Sequence, residues 1–490
     1  MDSSRAVHGN EIPALLGEWR NGAGSLAQRL ADAVEDAVER GELLESWVLP
    51  SERNLAAALD ISRSTTARGM EMLAKRGVVR RVQGAGTFVA GRSGAAAGAA
   101  ASAATRARLP RGLRGKYRLG SDTDPGVAAA TFPDATGLPR EALTLNADDL
   151  LSAQPSGATP GSGYAIAGLD ATRVAVAASL SANGLPTTPE GLVLTTGATQ
   201  SLSLAFEMLL SPDDVVIVES PTYPTTLELL RRTGARIVPI RTGDGTVGAD
   251  ALVRLARKTR ATMAVVMATC NVATGRSLTD ADRSLLVRLA QSGVAVVDDR
   301  TLADYHPTPA PVPVAALAEH RNIITVGSFN KIYWGGLKMG WIRLHPSLVE
   351  TLVRIKSRTD AGSSVPSQIL LTKLLPHHGH IVAHRQSETR RRTHLASAFL
   401  HDELPDWRDE AAGIGPSQWI RLPLRDTAEF VGFAHAHGTT VGYGGLYRSD
   451  GRPSAHLRMT LTSGDDEIMA ALRNLRDVWS AFHASHSRRR

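Results

Sequence analysis

About two-thirds of the way along, the chain reads Val326-Gly327-Ser328-Phe329-Asn330-Lys331-Ile332-Tyr333-Trp334-Gly335-Gly336-Leu337-Lys338-Met339-Gly340-Trp341. A lysine just after an apolar strand, in a glycine-rich loop, is poorly sited for a solvated surface role. Desolvated and close to other cations, its amine has a lowered pKa and is nucleophilic, and it can condense with an aldehyde to a Schiff base. Ser328, three residues before Lys331, and Lys338, seven after it, would hold a phosphate on the same ligand. A lysine between glycines is by itself most often a plain loop residue, so other segments must agree. Thr196-Gly197-Ala198-Thr199-Gln200 precedes a helical pattern from Ser201 to Leu210, which offers backbone amides to a phosphate at a helix N-terminus. Asp298-Asp299 follows the apolar run Val294 to Val297, and a carboxylate at a parallel strand's C-terminal end can pair with a protonated ring nitrogen. Tyr223, after the run Val215 to Val218, offers a ring to stack on such a ligand.

Such residues must be positioned by elements that alternate. From about residue 119 onward, β-branched runs such as 215–218, 263–267, 294–297 and 323–326 are separated by helical stretches. Runs apolar on both faces mean an α/β architecture: a mostly parallel central sheet with helices on both faces. A smaller α+β subdomain is expected over roughly 345–490, supplemented by 119–150.

The 490 residues allow about three structural units at roughly 150 residues each. With 43% hydrophobic and 21% charged residues the chain can bury a sizeable core, which excludes a wholly disordered protein. The single cysteine, Cys270, permits no internal disulfide, and no secretory pattern opens the chain, so a cytoplasmic setting is expected. No apolar run is long enough to span a bilayer. No metal site is expected.

The formal charge of +7 becomes informative through its distribution. Residues 25–61 carry three Lys and Arg against eight Asp and Glu, whereas 62–92 carry seven against one. The acidic stretch holds two helical patterns, one ending near Gly41 and one from Ser51 to Leu59. A third pattern, from about Arg63 to Arg76, is opened by Ser62 as N-cap and closed by Gly77. Two helices joined by a three- or four-residue turn make a helix-turn-helix, and the runs 78–82 and 87–89 around Gln83-Gly84-Ala85-Gly86 make a hairpin wing. Small and polar residues at the start of the third helix, Ser62, Arg63, Ser64 and Thr65, suit a helix laid in a DNA major groove, with Arg80, Arg81 and Gln83 reaching the flanking backbone. Residues 93–118, rich in Ala, Gly and Arg with six basic and no acidic residues, read as a linker.

Leu49-Pro50-Ser51-Glu52-Arg53, Ser62-Arg63 and Gln83-Gly84-Ala85-Gly86-Thr87-Phe88-Val89 fall in one order that resembles the winged helix-turn-helix of GntR-type bacterial regulators. The resemblance implies double-stranded operator DNA as partner, with Arg53, Arg63, Thr65 and Gly86 in contact. The region from 119 to 485 resembles fold-type I aminotransferases, which bind pyridoxal 5'-phosphate (PLP). Together with the head at 12–92 and the linker at 93–118, the whole looks like the MocR subfamily of GntR-type regulators. That resemblance implies Lys331 as the Schiff-base lysine and Asp298 as the pyridine-nitrogen partner. It implies Ala198, Thr199, Ser328 and Lys338 around the phosphate, Tyr223 against the ring, and Arg458 for the carboxylate of an amino-acid or amine effector. A homodimer is expected.

This chain departs from its relatives at three places. Lys338 stands where they carry arginine, keeping the charge but losing the bidentate fork. In place of Asn-Pro-Thr-Gly the aligned stretch is Val272-Ala273-Thr274-Gly275, with Asn271 displaced by one. Arg300 stands where the subfamily has a tyrosine. These losses bear on transamination more than on occupancy. Three readings stay open: a regulator that senses PLP or an amino compound, an aminotransferase with an attached DNA-binding module, and a PLP-free dimerising regulator.

Overall fold

The computed structural model describes residues 11–16, 19–20, 25–39, 43, 47–76, 78–82, 86–89, 132–153, 163–241, 249–307, 309–411 and 413–487. The chain forms two compact units, Met1–Ser102 and Ala103–Arg490. The linker reading at 93–118 lies outside the described residues, as does Gln83.

In the first unit, helices α1 (Ile12–Leu16), α2 (Leu26–Glu39), α3 (Glu52–Ala58) and α4 (Arg63–Lys75) enclose a core of Leu30, Val34, Leu55, Leu59, Met70 and Leu73. Helices α3 and α4 are the pair expected from the sequence. Ser51 caps α3 through Oγ, which accepts from Asn54 N at 3.3 Å, and Ser62 caps α4 by accepting from Thr65 N at 3.0 Å. Asp60, with φ of +48°, turns the chain between them. Gly69 lets α4 lie close on α2, since a Cβ there would stand 3.1 Å from the carbonyl oxygen of Ala27. Strands β2 (Val79–Val82) and β3 (Gly86–Val89) pair antiparallel as the hairpin. A third strand, β1 (Val48–Leu49), pairs with β3, where the sequence read only a turn. Two residues are too few to carry an alternation.

The second unit is built on a seven-stranded sheet of order β4-β10-β9-β8-β7-β5-β6. Its strands are β4 (Leu192–Thr195), β5 (Val215–Ser220), β6 (Arg236–Arg241), β7 (Met263–Val266), β8 (Ala295–Asp299), β9 (Ile323–Ser328) and β10 (Gly340–Arg343). The pairs β5/β6, β5/β7, β7/β8 and β8/β9 are parallel, while β10 runs antiparallel to both β4 and β9. Every strand except β10 therefore points the same way. The four apolar runs read from the sequence are β5, β7, β8 and β9, and they are buried on both faces, as the absence of alternation demands.

A four-stranded antiparallel sheet follows, of order β11-β12-β14-β13: β11 (Arg408–Asp409), β12 (Ser417–Arg421), β13 (Gly442–Tyr443) and β14 (His456–Thr460). Helices His378–Glu403, Ala428–Ala436 and Asp465–Ser487 cover it around a second core that includes Trp407, Phe430, Leu457 and Trp479. The two sheets are tied at the carboxyl edge of the first, where Thr222 N donates to the carbonyl of Tyr447 at 2.8 Å and Arg458 Nε to that of Val272 at 3.1 Å.

Candidate functional site

Ligands of open α/β sheets bind beyond the carboxyl ends of the strands. In the second unit those ends meet at one cavity of about 240 Å³. Thr196 to Gln200 line it after β4, Tyr223 after β5, Met267 and Val272 after β7, Asp299 at the end of β8 with Thr301 and Leu302 beyond it, and Ser328 at the end of β9 with Asn330, Lys331 and Lys338 beyond it. Arg458 enters from β14 and Phe132 from the segment that opens the described part of this unit.

One corner of the cavity is backbone. Helix Ala198–Leu209 starts at Gly197, whose φ of +147° and lack of a side chain leave the first turn with no side-chain cap. A Cβ at Gly197 would stand 2.9 Å from Asn330 Nδ2. Asn330 is itself fixed, donating to the carbonyl of Thr196 at 3.2 Å and accepting from Met339 N at 2.8 Å. It thereby ties the start of that helix to the loop of Lys331 and Lys338. Lys338 is exposed and left-handed, with φ of +53°.

Lys331 is partly buried, and its carbonyl accepts from Tyr305 Oη at 2.8 Å. Burial first, and then the guanidinium of Arg458, pull its amine down to about 7, while Asp299 pulls the other way. Asp299 is held up at about 6 by burial, against the hydrogen bonds that its Oδ1 accepts from Thr301 N at 2.9 Å and Thr301 Oγ1 at 2.5 Å. Asp298 is fully buried and does not line the cavity; its Oδ1 accepts from Ala268 N at 3.2 Å and its Oδ2 is buried without a partner among the described residues. Burial raises its pKa against the charges of Arg300 and Arg283. Strand pleating explains the division: successive side chains on β8 point to opposite faces, so two adjacent aspartates cannot share one wall.

Asn271 does not line the cavity either. Its Nδ2 donates to the carbonyl of Pro221 at 3.1 Å, and its Oδ1 accepts from Ala273 N and Thr274 N at 3.0 and 3.2 Å. It builds its own loop, and Val272 forms the wall instead. Arg300 lines a smaller neighbouring hollow with Asp304 and His378, and donates to Thr269 Oγ1 at 3.3 Å. Glu219, buried beside this cluster, was not singled out from the sequence; burial holds its pKa up near 8, against hydrogen bonds from Met267 N and Asn271. Phe132, Asp299, Asn330 and Thr301 were also missed. Asp299 and Asn330 lay inside quoted motifs, whereas Phe132 gave no local signal.

On the first unit, Arg53, Ser62, Arg63 and Ser64 are exposed and Thr65 half-buried. Arg53, Ser62 and Arg63 border one open hollow between α3 and α4. Arg80 and Arg81 lie on β2, opposite Phe88 and Thr87, and Gly86 opens β3 opposite Val82.

A winged helix-turn-helix in one unit and an aminotransferase-type sheet with a lysine-bearing cavity in the other define the class: a DNA-binding regulator built on a fold-type I aminotransferase fold. Residues 139–414 match the family "Aminotransferase class I and II" and residues 26–89 match "Bacterial regulatory proteins, gntR family". The uncharacterized HTH-type transcriptional regulator YisV of Bacillus subtilis is 24% identical over 429 residues, covering 81% of this chain and 85% of its own. The probable rhizopine catabolism regulatory protein MocR of Rhizobium meliloti is 24% identical over 444 residues, covering 86% of each chain. Among solved structures, LysN, the alpha-aminoadipate aminotransferase of Thermus thermophilus, complexed with N-(5'-phosphopyridoxyl)-L-leucine, superposes with a TM-score of 0.65 at 21% identity, over 74% of this chain and 94% of that one. The chain belongs to the aminotransferase class I and II family and, with its GntR-family head, is a regulator of the MocR type. Among the described residues no helix is long and apolar enough to cross a membrane.

Proposed function

We propose that this regulator takes PLP in the cavity of its second unit and reads an amino compound there, as a cytoplasmic homodimer that binds operator DNA through its heads. One observation carries the reading: in the cavity at the carboxyl ends of the parallel strands stands a partly buried lysine amine, lowered to about 7, with Asp299 and, from β14, Arg458 in the same lining. The residues present fit the cofactor. Gly197 leaves an uncapped helix start, Ser328 and Lys338 line the same cavity, and Asp299 brings a carboxylate to its wall. Bound, PLP supplies an aldehyde and an electron-accepting ring.

The chain's own residues then have distinct tasks. The amides of Ala198 and Thr199 hold the phosphate with Ser328 and Lys338. Tyr223 flanks the ring. Asp299, at the cavity wall, supplies the carboxylate for the ring nitrogen, and Asp298 stands behind it, outside the cavity lining. Lys331, near half-neutral at neutral pH, presents the nucleophilic amine. Arg458, whose Nε is spent on Val272, turns the rest of its guanidinium to the carboxylate of an amino compound. With Val272 and Arg300 where proton-managing groups would stand, the site is equipped to bind and report more than to turn over. On the head, Arg53, Ser62, Arg63, Ser64 and Thr65 meet the DNA, with Arg80, Arg81, Gln83 and Gly86 of the wing.

The test is spectroscopic. Wild type mixed with PLP should gain a visible band that borohydride reduction traps on one peptide, and Lys331→Ala should lose both completely. A reducible adduct that persists at another lysine would sink the assignment.

A further inference from the structure

Phe132 is 45% exposed at the cavity, with Lys331 Nζ 3.7 Å from the centroid of its ring. That lies well inside the ~6 Å reach of a cation–π contact. The ring is held there. Gly335 makes room for it: a Cβ at that position would stand 3.0 and 3.1 Å from Phe132 Cβ and Cγ. Just beyond, the buried guanidinium of Arg385 binds the chain on both sides of the contact. It donates to the carbonyls of Asp134 and Thr136 at 2.8 and 2.9 Å and to those of Ile332 and Tyr333 at 3.3 Å each. The segment that carries Phe132 and the loop that carries Lys331 are thus clamped together, with the ring over the amine.

We propose that Phe132 is a latch on the Lys331 amine: its ring holds the ammonium form, and a carbonyl ligand gains Nζ only as the ring lets go. This rests on the reading that the cavity takes an aldehyde. In the condensation, Nζ bonds to the carbonyl carbon, and the carbonyl oxygen leaves as water with the two hydrogens of the neutral amine. The nitrogen then carries no ammonium charge for the ring face to hold. The groups facing Nζ pull in both directions. Asp299 from β8 and the ring favour the ammonium, whereas burial and Arg458 from β14 favour the free amine, and Lys338 and Tyr223 line the same cavity.

Two full-length variants test the latch. Phe132→Leu keeps apolar bulk and removes the ring's charge distribution; Gly335→Ala keeps the ring and pushes it aside. Two readouts are followed across the neutral pH range: the rate at which the visible band grows with PLP, and acetic anhydride labelling of Lys331 read by peptide mass without PLP. Phe132→Leu should lower the pH midpoint of both by roughly half a unit, which makes both reactions about threefold faster below the midpoint. Gly335→Ala should move them in the same direction. Midpoints equal to wild type in both variants would overturn the latch. A labelling shift in a protein whose wild type gains no band with PLP would support the ring–amine contact and overturn the aldehyde reading beneath it.

Discussion

Two helices in this chain begin at its two candidate sites, and they begin differently. At the head, α4 is closed by its own serine: Ser62 Oγ accepts from Thr65 N and lies 2.8 Å from Thr65 Oγ1 and 2.9 Å from Ser64 Oγ. In the second unit, helix Ala198–Leu209 starts at Gly197 with no side-chain cap. The first start meets one of its amides with its own hydroxyl, and the exposed side chains of Arg53 and Arg63 stand beside it. The second leaves amides to be satisfied by a ligand, which suits a pocket that closes around one molecule. An exposed reader must keep its shape while it samples many DNA sites. A cofactor pocket can leave part of its hydrogen bonding to the cofactor.

The largest effect should come from closing the second start. Gly197→Ala places a Cβ at a φ of +147°, a conformation that side chains rarely adopt, and 2.9 Å from Asn330 Nδ2. Asn330 must then yield, and it links Thr196 to Met339. Strain at such a φ costs about 1–3 kcal/mol, up to roughly a hundredfold where a bound state depends on that geometry. PLP affinity, read by titration of the visible band, should fall by about that factor while DNA binding by the head is unchanged. Unaltered PLP affinity would break the comparison.

A smaller effect is expected at the head. Arg63→Ala removes a charge beside a helix start that is already capped, so the fold of the head should persist. Loss of one arginine contact costs about 1–3 kcal/mol, and if the contact is to phosphate the log–log salt slope falls by about 1. Fluorescence anisotropy with operator and random duplexes at several salt concentrations separates the cases. Equal weakening on both duplexes assigns Arg63 to the backbone, weakening on the operator alone assigns it to base reading, and no weakening on either removes it from the interface.

What could be read from the sequence divides along the same line. Ser62, Gly197, Ser328 and Lys331 act within a few residues of their own motifs, so order and spacing exposed them, as did the long apolar strands β5, β7, β8 and β9. Contacts between distant segments had no such trace. Phe132 meets Lys331 only because the fold returns one segment over the other, and Arg458 reaches Val272 only because two sheets meet. The division between Asp298 and Asp299 depends on the face each presents at the end of β8, which a run of apolar residues followed by two acids does not settle. Strands β1, β11 and β13 have two residues each and carry no alternation to read.

The smallest effect concerns how the open start is completed. Lys338 brings a single ammonium to the cavity from a left-handed position, where the proposed phosphate would meet it. An arginine there keeps the charge and adds a planar fork that can meet two phosphate oxygens at once, a gain of about 0.5–1 kcal/mol, or roughly two- to fivefold in affinity. Both side chains bear the same Cβ, so the left-handed backbone at 338 penalises them alike, and the change isolates the fork. Lys338→Arg should therefore bind PLP more tightly by that factor, read as a slower loss of the visible band on dilution. Unchanged affinity would mean that the amides at Gly197 and the hydroxyl of Ser328 already satisfy the oxygens the fork would reach, leaving Lys338 to act as a point charge. Weaker binding would mean that the cavity mouth is shaped for the narrower ammonium, which would tie this chain's departure from its relatives to the local fit of one side chain.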